Sequence, residues 1–112
     1  MSRMAERYIE EGLRTDGHPG ICFRDGPAGR RAGLVGGPDV WEIIGALRTV
    51  EPKADARVAV LAERLSLSES RVRAAVSYYG EYPEEIDAWI AANDAEAVSL
   101  EAALEREREL LG

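Results

Sequence analysis

The chain has 112 residues, a formal net charge of −7, one cysteine and one histidine. That length supports one domain's core, burying roughly two-thirds of the unfolded surface, and excludes a second independent core. Cys22 and His18 each stand alone, which excludes an internal disulfide and a Cys/His zinc cluster of standard spacing; no cofactor is expected.

The first segment, "MSRMAERYIEEGLRTDG", lacks the apolar stretch of a secretory signal, and no apolar run approaches the roughly 20 residues that span a bilayer. A cytoplasmic protein with no membrane partner is therefore expected. Met4, Tyr8 and Leu13 form only a weak helical stripe, so residues 1–17 are expected to be a flexible arm. Eight of the eleven glycines fall between Gly12 and Gly37, where regular helix is costly. Within that stretch "ICF" (21–23) and "RAGLV" (31–35) flank "RDGPAGR", and the spacing predicts a β-hairpin. An isolated two-stranded hairpin is marginal in water, so it needs cover from the helices or from a second subunit.

Helix signals strengthen after Gly36. In "GGPDVWEII", Asp39 is a candidate N-cap with Glu42 three residues on, and Val40, Ile43, Ile44 and Leu47 repeat at helical spacing. A second helix starts after Lys53 or Asp55, with Val58, Leu61, Ala62 and Leu65 as its inward face. After the turn "SLS", Ser68 is a good N-cap, and Val72, Ala75, Val76 and Tyr79 form the inward face of a third helix. "LAERLSLSESRVRAAV" supplies the parts of a helix-turn-helix: the small Ala62 where the helices approach, and Leu67 as the apolar plug. It departs at Ser66, which occupies a turn position where glycine is usual. The fold class expected is mainly α: a short N-terminal β-hairpin, a homeodomain-like three-helix core with the helix-turn-helix, both within residues 18–92, and an acidic C-terminal helical extension over residues 93–112.

Such a helix raises a question of charge, because DNA affinity comes largely from cations that displace counterions from the phosphates. Residues 1–37 hold six Arg against five Asp/Glu, and residues 38–82 hold six Lys/Arg against seven Asp/Glu. Residues 83–112 hold nine Asp/Glu against two Arg, so this last segment accounts for the whole net charge. The helix-turn-helix belongs to the neutral part. The side chains it offers to a major groove are Glu69, Ser70, Arg71, Arg73 and Ser77, with Arg73 suited to guanine and Ser70 to a phosphate or base edge. Two arginines make a weak footprint for a monomer. A homodimer on a palindrome doubles it, with Arg30, Arg31, Arg57 or Arg64 as further phosphate contacts. The alternatives are that each arginine is a solvated surface charge and that the helical pair binds no ligand.

Beyond the third helix, Pro83 suits a first helical turn, with Ile86, Trp89 and Ile90 as an apolar face. Ile90, Asn93, Ala97, Leu100, Leu104, Glu107 and Leu111 then alternate at spacings of three and four, an amphipathic stripe broken at Asn93 and Glu107. Such a stripe suits a helix folded back on its own core, a contact across a dimer, or a partner protein.

In order, "HPGICF", "AGRRAGLV", "VWEII" and "LAERLSLSESRVRAAVSYYGEYPEEIDAWI" resemble the antitoxin family known as domain of unknown function 433, related to VapB-type antitoxins. The resemblance covers His18 to Asn93. It departs at Gly29-Arg30-Arg31, where arginine stands in place of the usual threonine. What it implies is a type II antitoxin that neutralises a PIN-like ribonuclease toxin and represses its own operon by binding operator DNA. It further implies that an arginine of the acidic segment, Arg106 or Arg108, enters the nuclease's carboxylate pocket, with Leu100, Leu104 and Leu111 as apolar anchors beside it. Two competing readings stay open: a stand-alone dimeric helix-turn-helix transcriptional regulator, and a helix-turn-helix used only as a protein interface. An enzyme is not expected, because neither His18 nor Cys22 has a catalytic partner nearby in sequence, and "DGPAGRRAG" lacks the Lys-Ser/Thr of a phosphate loop. Cys22, between Ile21 and Phe23, is expected to be a small buried hydrophobe.

Overall fold

A computed structural model describes residues 3–112 and is mainly helical, with five helices and one antiparallel hairpin. The elements run α1 (Arg3–Gly17), β1 (Ile21–Gly26), β2 (Gly29–Leu34), α2 (Val40–Leu47), α3 (Asp55–Leu65), α4 (Glu69–Glu81) and α5 (Pro83–Leu111). Residues 3–17 are thus a regular helix. Among the described residues no helix is long and apolar enough to cross a membrane.

The hairpin turns through Pro27 and Ala28, with Gly26 paired to Gly29 and Ile21 to Leu34. Proline presets its own φ for the first turn position, and Gly29 takes the positive φ (131°) that lets the chain re-enter the ladder. The register sets Arg24 directly against Arg31, two like charges that would repel. Asp39 resolves this. Its buried carboxylate accepts from Arg24 Nε at 3.0 Å and from Arg31 Nε, and also from Trp41 Nε1 at 3.2 Å. The same residue caps α2: Glu42 accepts from the Asp39 backbone N–H at 3.2 Å, the reciprocal half of a capping box. One side chain therefore joins the hairpin to the first core helix.

The hairpin finds its cover within the chain. Ile21, Ala32 and Leu34 are buried with Val40, Ile43, Ile44 and Leu47 of α2 and Val72, Ala75 and Tyr78 of α4. Two inward faces differ from the sequence expectation. On α4, Tyr78 is fully buried while Val76 is exposed and Tyr79 half-buried. The Tyr78 hydroxyl escapes the usual penalty of burial because Arg14 donates to it at 2.8 Å and it donates to Glu85 at 2.7 Å. On α3, Val58, Leu61 and Ala62 are buried, whereas Leu65, in the last turn, is exposed. Cys22 is half-buried rather than enclosed, since successive strand residues face opposite sides and its neighbour Ile21 takes the core side.

Candidate nucleic-acid and partner interfaces

The link between α3 and α4 is built from serines. Ser66 ends α3 in the left-handed conformation (φ 55°, ψ 40°), and the N–H of Leu67 returns to the Ala62 carbonyl at 2.9 Å. Ser68 then caps α4, its Oγ accepting from the Arg71 N–H at 3.3 Å. Leu67 is half-buried and packs against the core cluster, to which Ala62 and Val72 belong. The serine at the glycine position adopts the strained conformation rather than avoiding it.

On α4, Glu69, Ser70, Arg73 and Ser77 are exposed, and their spacing of three, four and seven places them along one face. Arg71 lies apart, half-buried, with Nη2 donating to the Val35 carbonyl beyond the hairpin. Arg73 meets Asp55 at the start of α3, Nη2 to Oδ1 at 2.8 Å, and that hydrogen bond holds the guanidinium above its ordinary pKa. Three of the four further phosphate candidates are engaged as well. Arg30 forks onto Glu11 at 2.6 and 2.7 Å, Arg31 holds Asp39, and Arg57 donates to the Pro52 carbonyl at 2.8 Å. Among the described residues, Arg64 has no ion pair.

Helix α5 has two environments. Near its start Ile86 is buried, Trp89 and Ile90 are half-buried, and two ion pairs clamp it: Arg14 to Glu85 at 2.9 Å and Arg48 to Asp87 at 2.6 Å. The Arg48 hydrogen bond holds the Asp87 carboxyl below its ordinary range, and His18, 2.6 Å from Glu81, does the same for that carboxyl at the end of α4. From residue 91 onward every side chain except half-buried Ala103 is exposed, including Leu100, Leu104, Arg106, Arg108 and Leu111. At 1.5 Å per residue this arm extends roughly 30 Å. It accounts for a radius of gyration of 17.0 Å, where about 13 Å is usual for a compact chain of this length.

Sequence reasoning missed one feature. A cleft of about 380 Å³ opens between the hairpin turn, the start of α2 and the root of the arm. Both tryptophans of the chain, Trp41 and Trp89, line it, with Glu42 and Glu96 also in its wall. The two lie on separate helices, so no local spacing could announce that they share a wall.

Comparisons of the chain with family models, with curated proteins and with solved structures find no match.

Proposed function

We propose that this protein is an antitoxin, a helix-turn-helix body that binds operator DNA joined to an acidic arm that captures and neutralises a PIN-like ribonuclease. The observation that carries this reading is the arm: α5 leaves the core after Ile90 and presents its leucines and acidic side chains to solvent. Glu101, Glu105 and Glu109 repeat every four residues on one face, where like charges repel, and only Glu105 has an ion pair, to Arg108 at 3.1 Å. A cationic partner relieves that repulsion. An enzyme surface built to hold RNA phosphates has the complementary charge, and an acidic helix would occupy its substrate's track. The motifs between His18 and Asn93 that resemble the domain of unknown function 433 antitoxins point the same way, although no family model matches the chain.

Operator binding asks more of the molecule. Arg73 would exchange Asp55 for DNA, and Arg71, tied to Val35, would serve as a strut for the recognition helix more than as a reader of bases. Binding through so small a footprint needs two copies on a palindrome.

The test is a chain truncated after Asn93, assayed against the ribonuclease encoded beside it. It should keep its fold and operator affinity yet lose inhibition of RNA cleavage, and Arg106→Glu with Arg108→Glu should weaken inhibition in the full chain. A truncated chain that inhibits with full affinity would sink this assignment of the arm; the absence of any neighbouring nuclease would favour the stand-alone regulator.

A further inference from the structure

Helix α1 is amphipathic with its faces reversed. Its polar side is turned to the body, where Arg30 forks onto Glu11 and Arg14 donates to both Tyr78 and Glu85. The Glu11 and Arg14 side chains are only 14% and 17% exposed. On the other side Met4, Tyr8, Ile9 and Leu13 are 55%, 54%, 52% and 69% exposed, and no residue of α1 is buried. A surface helix ordinarily turns its apolar stripe inward. Rolling α1 to do so would strip Glu11 from Arg30 and leave the buried Tyr78 hydroxyl without its donor Arg14, so the ion pairs fix the outward orientation. A contiguous apolar face of this kind on a charged protein marks a contact surface.

We propose that this face joins two copies of the chain, with α1 packed antiparallel on α1 of the second copy about a two-fold axis passing between Tyr8 and Ile9. The residue order is self-complementary. A register that sets Tyr8 against Ile9 also sets Met4 against Leu13, so each large apolar side chain meets another, while Arg7 and Glu10 stay on the side turned to the body. A Cβ at Gly12 would meet nothing within 4 Å, so the backbone there is open to close approach. Antiparallel helix dipoles add to the attraction. A lipid surface fits less well, because α1 carries Glu6, Glu10, Glu11 and Asp16 against three arginines in a chain of net charge −7, which anionic headgroups repel. The inference rests on α1 alone and stands whether or not the arm binds a nuclease.

Sedimentation equilibrium at high micromolar concentration should give the mass of two chains for the wild type. Tyr8→Glu combined with Ile9→Glu should raise the dimer dissociation constant by at least about tenfold, with the unfolding midpoint nearly unchanged when both proteins are diluted until they are monomeric, because neither side chain is buried in the single chain. In a Cys22→Ala background, Ile9→Cys lies next to the axis and should cross-link into a covalent dimer on mild oxidation, whereas Glu6→Cys, on the flank, should not. A monomeric wild type, a dimer indifferent to the double substitution, or equal cross-linking from both cysteines would overturn the proposal. So would wild-type binding to phosphatidylserine vesicles without dimerisation, which would reassign the face to lipid.

Discussion

Residues 83–90 and 91–111 of α5 share one uninterrupted helix, yet they owe it to different causes. The first part is helical because it is packed and clamped, with Ile86 in the core and Glu85 and Asp87 paired to arginines from α1 and α2. The second is made of alanine, leucine, glutamate and arginine at most positions, the strongest helix formers, and stays helical by propensity with an anchored first turn as its nucleus. A short helix in water is marginal, so the anchor is what the arm depends on. The body therefore holds nearly all of the folding free energy, and the arm holds surface that contributes little to it.

Substitutions in the two regions should differ accordingly. Asp39→Ala removes the carboxylate that separates Arg24 from Arg31 and should destabilise the body by about 3 to 5 kcal/mol in urea unfolding. A loss under about 1 kcal/mol would show that the two arginines find other partners. Ile86→Ala empties a fully enclosed site at the anchor and should cost about 2 to 4 kcal/mol, with the arm's helicity falling in the same circular-dichroism transition. Ser66→Gly relieves the left-handed conformation at the end of α3 and should stabilise by about 1 kcal/mol, raising the melting temperature.

Acid should act on the body through Glu81 and Asp87. Both carboxyls are held below their ordinary values of 4.5 and 3.8, so the unfolded chain takes up their protons first as pH falls. Their contribution is therefore complete above those values and lost as pH drops through the depressed ones. Glu81→Gln with Asp87→Asn should flatten the fall in urea midpoint between about pH 5 and pH 3. Smallest of all, Leu104→Ala on the arm should change stability by less than about 0.5 kcal/mol. A larger loss in an isolated chain would mean that the arm packs on something in solution.

Much of the body was legible because its signals are local. Val40, Ile43, Ile44 and Leu47 are all buried as their spacing predicts, and Asp39 and Ser68 both start helices. Ser66 sits where the turn demands a left-handed residue. What escaped depends on pairings distant in sequence. The burial of Tyr78 in place of Val76 requires Arg14 and Glu85 to meet its hydroxyl, and no window around α4 contains both. The reversed α1 is invisible to a hydrophobic pattern, which places the stripe but not the direction it faces. Of the candidate site, the exposed row Glu69, Ser70, Arg73 and Ser77 follows from helical periodicity, whereas the diversion of Arg71 to Val35 depends on where the hairpin ends.

The cleft beside Asp39 has a practical consequence for optical experiments. Trp41 and Trp89 are the chain's two indoles, one hydrogen-bonded to the carboxylate that locks the body and the other at the root of the arm. Ultraviolet excitation selective for tryptophan therefore samples this single junction, and its emission is an unlabelled gauge of whatever the arm does: any bend at its base, any partner seated along its root, any loosening of the anchor changes the polarity around a native fluorophore.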